Sequence, residues 1–173
     1  LRKRLEVSPA GFERLKAQIK VRTFADWNDK QPGFEEIDLV QHDGGNSSGF
    51  FACTLSVTDI STGWTEMRAV RNKAQTHVFA ALLRIRQLLP FPLLGLDSDN
   101  GAEFINDELW RYCDQEHITF TRSRTGRKND NAYVEQKNWS VIRRLVGYIR
   151  YDTQHQVDQL NALYTVYRLY VNH

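Results

Sequence analysis

Apolar and polar positions change period several times along the chain. After Ser8-Pro9, the residues Phe12, Leu15 and Ile19 recur at helical spacing, so a short helix with a serine N-cap and a proline at its first position is expected. Val21 to Trp27 reads as a short extended segment, and residues 28–33, rich in Asp, Asn, Pro and Gly, break the chain. Residues 34–42, 50–60 and 64–70 read as three strands, separated by Gly-containing turns that suit antiparallel hairpins. Thr76 is the expected cap of a helix to about Leu89, with Val78, Leu82, Leu83 and Ile85 apolar and with Pro90 and Pro92 as its stop. Leu93 to Ser98 is a short apolar strand of the kind buried in parallel pairing. Asn106 caps an expected helix over 107–116, and Ile118 to Thr121 is a fifth strand. Beyond the loop 122–130, helices are expected over 131–151 and from 153 to the end. The order βββ-α-β-α-β-α-α predicts an α/β fold with a mixed five-stranded sheet flanked by helices. Residues 1–33 are read as an N-terminal arm or linker with a short helix, and residues 34–173 as the compact core.

Bulk properties narrow the function classes. At 173 residues the chain is one domain by length. No apolar stretch approaches the roughly 18–20 residues of a membrane span, and the charged start LRKRLEVSPAGFERLK is not a secretory signal, so no membrane partner and a cytoplasmic location are expected. A first residue other than Met, and an end inside an expected helix, suggest the excised core of a longer protein. Two cysteines, Cys53 and Cys113, and five scattered histidines make neither a disulfide framework nor a zinc site. With no Ser/His/Asp or Cys/His constellation, metal-free hydrolysis is disfavoured. The charge distribution is more informative than its sum. Residues 31–70 carry six acids against Arg68, whereas residues 120–150 carry eight bases against Asp130 and Glu135. An acidic part that holds cations, beside a basic part that neutralises phosphates, suits a polyanion-processing site.

Three acids stand out. Asp38 lies inside the apolar-flanked stretch Glu36-Ile37-Asp38-Leu39-Val40, where alternation places it on one sheet face with Val40 and His42. Asp99 ends a buried strand, where parallel sheets present ligand-binding groups, and Gly101 permits the turn that follows. Glu135 falls at the edge of an expected buried helical stripe of Val134, Asn138, Val141, Leu145 and Ile149, along with Ile142 and Val146. Taken singly, each acid has an ordinary structural reading: a bonded strand Asp, a turn Asp, an exposed helix Glu. Together, three carboxylates on two strands and a helix suit two hard divalent cations against a phosphodiester. Asp43, which heads a Gly-Gly-Asn turn, is read as turn chemistry, and His42 as a structural histidine. Asp97 is set aside because it is expected on the opposite sheet face and would stand 37 residues from Glu135, not 35.

Asp38, then DSDNGAEF, then NDNAYVEQKN, with 35 residues between Asp99 and Glu135, resembles the D,D-35-E catalytic core of retroviral integrases and bacterial insertion-sequence transposases. The resemblance covers roughly Phe34 to Tyr170 and implies an RNase H-like fold, with Asp38, Asp99 and Glu135 as catalytic ligands of two Mg²⁺ or Mn²⁺ ions. It implies a strand cut that leaves a 3′-OH at a mobile element's end, then attack of that 3′-OH on a target phosphodiester. DNA ends and target duplex are the implied partners, in a dimer or larger homo-oligomer that acts at the bacterial nucleoid. Retroviral integrases carry DNA-contacting lysines one and two turns after the catalytic Glu, whereas Trp139 and Ile142 stand there in this chain. The candidate DNA contacts are instead Arg122, Arg124, Arg127 and Lys128 on the basic loop and Arg143 on the Glu135 helix. Two rival readings share the fold: a metal-dependent nuclease that stops at hydrolysis, and a non-catalytic DNA-binding module.

Overall fold

A computed structural model describes residues 8–22, 27–28, 30–124 and 128–173. Six strands build one sheet: β1 Lys20–Val21, β2 Phe34–Gln41, β3 Cys53–Asp59, β4 Thr65–Val70, β5 Gly95–Ser98 and β6 Thr119–Arg122, in spatial order β1-β6-β5-β2-β3-β4. The β2–β3–β4 meander is antiparallel, and β5, β6 and β1 extend it in parallel. The mixed α/β sheet is the one expected, but it has six strands where five were read. The extra strand is two residues long and has no alternation of its own; only its pairing with β6, Lys20 opposite Thr121, defines it.

Helices cover both faces. On one, Ile37, Leu55 and Val57 pack with Val78, Leu82 and Ile85 of α2 (Gln75–Arg86) and Leu109 and Cys113 of α3 (Asp107–Gln115). On the other, Val40 and Met67 pack with Val141, Ile142 and Val146, and with Val157, Leu160 and Tyr164 of α6 (Gln154–Asn172). Asp38 therefore shares the face of Val40, as alternation requires. Helix α1 (Pro9–Gln18) begins where expected, with Ser8 accepting from the Gly11 N–H, and Asn106 caps α3 by accepting from Leu109 N. Helix α2 departs by two residues: Ala74 occupies its N-cap without a side-chain bond, and Thr76 lies inside the helix.

The helix expected over 131–151 is not continuous. It runs as α4 (Ala132–Lys137), a π-helical segment Asn138–Arg143, and α5 (Arg144–Val146), ending at Gly147 with φ 71°. Each π turn holds an extra residue, so positions beyond it rotate relative to a regular helix. Ile142 and Val146, expected at the edge of the stripe, are buried at 0% and 7% exposure, while Ile149, expected within it, lies past the helix end and is 61% exposed.

Gly33 fixes the register that matters most. Its carbonyl accepts from both Leu94 N and Gly95 N, and its N–H donates to Asp59 Oδ1 at 2.7 Å. This clamp starts the parallel β2–β5 ladder, in which Ile37 lies opposite Ser98. Gly33 has φ 115°, and a Cβ there would lie 2.3 Å from the Pro92 carbonyl oxygen. Gly33→Ala is accordingly expected to destabilise the fold by more than the ~1–3 kcal/mol of the backbone strain alone, seen as a lower urea midpoint with unchanged slope.

Candidate active site

The β2–β5 register carries two of the expected acids to neighbouring strand ends. Asp38 and Asp99 each follow directly on the pair Ile37–Ser98. Asp99 is held in a tight turn by Gly101 N, which donates to its Oδ1 at 2.9 Å. Asp38 Oδ1 accepts from Leu39 N at 2.8 Å, and its Oδ2 accepts from Asn138 Nδ2 at 2.9 Å. Asn138 lies three residues after Glu135, on the same side of the helix, so this bond brings the Glu135 segment against β2. Glu135 itself is exposed.

The charges of both Asp99 and Glu135 act on Asp38. Burial above all, with the charges of Asp99 and Glu135 adding to it, pushes the Asp38 carboxyl up to about 7 against the lowering hydrogen bonds from Leu39 and Asn138. Glu103, beside Asp99, is also raised, mainly by burial. The donors are all oxygens, the set that suits a hard divalent cation, and a cation among them relieves the repulsion on Asp38. The Asn138 Oδ1 atom is buried without a partner and adds another oxygen at this place. Among the described residues no three acidic, His or Cys side chains converge closely enough to hold an ion in the present arrangement. The residue types therefore fit a divalent cation, while a closed ligand shell is not preformed.

The basic candidates are placed less uniformly. Arg122 is bound into the fold: its Nε donates to the Lys16 and Ile19 carbonyls at 3.1 Å and its Nη1 to Asn100 Oδ1 at 3.3 Å. Arg124 pairs with Asp130 at 2.7 Å. Arg143 donates to the Gln41 carbonyl at 2.7 Å and lies 4.6 Å from the centre of the Tyr148 ring. Arg127 and the side chain of Lys128 lie outside the described residues. Trp139, four residues after Glu135, is 61% exposed with the Arg144 guanidinium 5.6 Å from its ring centre.

His42 is structural: its Nε2 bonds Thr54 Oγ1 at 2.7 Å, Thr54 continues to Tyr164, and burial lowers its pKa to about 4. Asp43 turns its Oδ1 to Gly45 N, as turn chemistry. The placement of Asp97 needs correction. It lies opposite Glu36 in the ladder, and Arg22 Nη1 reaches both Glu36 Oε1 and Asp97 Oδ2, at 2.9 and 3.5 Å. Asp97 therefore occupies the Asp38 face, because residues two apart on an extended chain return to the same side. What separates it from Asp99 is its partners, Thr121 Oγ1 at 2.6 Å and Arg22. Four of the six acids in residues 31–70 are buried in the fold instead of lining the site: Glu35, Glu36, Asp59 and Glu66. Three residues near the site escaped the sequence reading: Arg22, Glu36 and Asn138. Only Asn138 left a signal, its spacing of three from Glu135.

No family model matches the chain. "Uncharacterized protein y4rM" of Sinorhizobium fredii is 48% identical over 158 residues, which are 91% of this chain and 45% of that protein. The chain thus spans under half the length of this curated relative. Among solved structures, the catalytic core domain of BIV integrase aligns with TM-score 0.59 at 18% identity, over 79% of this chain and 81% of that one. The intasome of simian T-cell lymphotropic virus aligns with TM-score 0.60 at 17% identity, over 75% of this chain and 43% of that one. The chain has the retroviral integrase core fold. The HTLV-2 integrase core, solved as a dimer in complex with magnesium, shares it with TM-score 0.52 at 19% identity, over 65% of this chain and 69% of that one. In this integrase-core fold the meander β2–β3–β4 supplies Asp38, the parallel extension supplies Asp99, and α4 supplies Glu135. No described helix is long and apolar enough to cross a membrane.

Proposed function

We propose that the chain is the catalytic core of a DNA transposase or integrase, in which Asp38, Asp99 and Glu135 hold two divalent cations. The observation that carries this reading is the strand register that sets Asp38 and Asp99 at neighbouring strand ends, with Glu135, separated from Asp99 by 35 residues, on the helix bonded to Asp38 through Asn138. Bound Mg²⁺ or Mn²⁺ supplies Lewis-acid stabilisation of the phosphodiester and lowers the pKa of the attacking hydroxyl. The chain's own residues set the geometry. Asn138 orients Asp38, the Gly101 amide orients Asp99, and Glu135, which no hydrogen bond or ion pair holds among the described residues, is the arm able to turn inward. The first step is hydrolysis that releases a 3′-OH. In the second, a bond forms from that 3′-oxygen to a target phosphorus while the bond to the target's own 3′-oxygen breaks. One phosphodiester replaces another, so no external energy source is needed.

The DNA partners are element ends and target duplex, with Arg124, Arg127, Lys128 and Arg143 as phosphate contacts. Arg122 stays proposed only as a contact that first releases the Lys16 and Ile19 carbonyls. Joining two ends requires at least two copies of the chain, and a homo-oligomer in the bacterial cytoplasm is the working assembly. Incubation of the protein in Mg²⁺ with a labelled 3′-OH DNA end and a second duplex tests the reading. Joined product that disappears in Glu135→Gln supports it. Nicking without joining points to the hydrolytic nuclease, and DNA binding with neither reaction points to the non-catalytic module.

A further inference from the structure

A buried ionic cluster lies directly beneath the candidate acids. Glu36 is fully buried in β2, two residues before Asp38. Its Oε2 accepts from Tyr133 N at 2.9 Å and from Val134 N at 3.1 Å, at the start of α4, while its Oε1 pairs with Arg22 Nη1 at 2.9 Å. Asn131, the N-cap of α4, makes no side-chain cap bond. Glu36 therefore does from another strand what a local cap does elsewhere. Arg22, which follows β1, also reaches Asp97 Oδ2 at 3.5 Å and the Asp130 carbonyl, in the turn that leads into α4. Turning the Asn131 amide over, which suits its surroundings better, lets its nitrogen donate to Asp97 Oδ2 at 3.1 Å and to the Asp130 carbonyl at 3.2 Å.

We propose that the Arg22–Glu36–Asp97 network is a positioning device that sets Glu135 against Asp38, which makes the N-terminal strand β1 part of the active site. The inference rests on the function proposed above. Its geometric basis is short: the last amide that Glu36 grips is Val134, one residue before Glu135, and Glu36 itself is one step along the same sheet face from Asp38. A π-helical segment begins three residues after Glu135, so the regular part of α4 is only six residues long. So short a helix does not hold its own N-terminus in place. A buried ion cluster is a weak source of net stability compared with apolar packing. What this one provides is a fixed distance between β2 and α4.

Glu36→Gln and Arg22→Met test the proposal in the whole chain, by amide hydrogen exchange and by steady-state cleavage of a DNA end in Mn²⁺. Gln offers one acceptor oxygen where Glu36 uses two. Exchange at Tyr133 and Val134 is expected to rise at least tenfold while the β2–β3 amides stay protected, which reports an intact fold. The kcat for cleavage is expected to fall by about 10–100-fold, as for other residues that orient metal ligands, with KM for DNA unchanged and with partial recovery in Arg22→Lys. Unchanged kcat in both variants, or unchanged exchange at Tyr133 and Val134, overturns the proposal while wild-type cleavage leaves the function standing. No cleavage by the wild type overturns the proposed function and the positioning role together.

Discussion

Asp38→Asn is expected to lower metal-dependent DNA cleavage by at least ~10³-fold while leaving the fold intact. A metal's Lewis-acid action is worth several kcal/mol in the transition state, and ~4 kcal/mol corresponds to ~10³ in rate. The substitution removes the one carboxylate that is bonded to the Glu135 segment and also faces the charge of Asp99. It leaves no more polar atoms unpaired than before. The Asn oxygen still accepts from Leu39 N, and the new amide can donate to Asn138 Oδ1, which is buried without a partner, once Asn138 turns over. Removal of a desolvated charge that two like charges oppose does not weaken the fold. Cleavage kinetics beside a thermal melt separate the two effects: lost activity with an unchanged or higher Tm is the expected pair.

Glu35→Gln is expected to raise stability, and more so as pH rises. Glu35 is fully buried, neither carboxyl oxygen has a partner, and burial together with the charges of Asp59 and Glu66 holds its pKa well above the ordinary 4.5. The folded state therefore binds the Glu35 proton more tightly than the unfolded state does. Its contribution to stability is fully present below pH 4.5 and is lost progressively as pH rises from there through the folded-state value. Gln cannot ionise, so it adds no charge beside Asp59 and Glu66. A gain of about 1–2 kcal/mol near pH 8 is the scale of the penalty on one unpaired buried group, and at ~2–4 °C per kcal/mol it appears as a higher Tm. Below pH 4.5 the difference between Glu35→Gln and wild type should shrink. A difference independent of pH contradicts a protonated Glu35 in the fold.

The legible part of the molecule was the part governed by local periodicity. Strand alternation placed Asp38 with Val40 and away from Ile37, and the structure keeps that division between the two cores. The apolar run before Asp99 gave a strand parallel to β2, and the Asn106 cap marked the start of α3. Features set by distant partners were not legible. The strand β1 is visible only through β6, and Arg122 seemed free until α1 brought the Lys16 and Ile19 carbonyls to it. Glu36 is only one of six acids in the acidic stretch of the sequence, because Arg22 and the α4 amides that hold it come from 14 and about 100 residues away. The π-helical segment defeated the regular 3.6-residue count at Ile142, and the helix ends at Gly147, before Ile149 could join the buried stripe. Asp97 was misplaced for a simpler reason: the period of two puts it on the Asp99 side, and only its bonds to Thr121 and Arg22 distinguish the two acids.

Titration of Mn²⁺ into the wild type and into Asp99→Asn, each alone and with a DNA end bound, addresses the common metal site directly. Saturable binding in the wild type, completed by DNA phosphates to two ions and lost in Asp99→Asn, is the result expected if Asp38, Asp99 and Glu135 act as one site. Binding unaffected by the substitution, or none in either protein even with DNA bound, contradicts it.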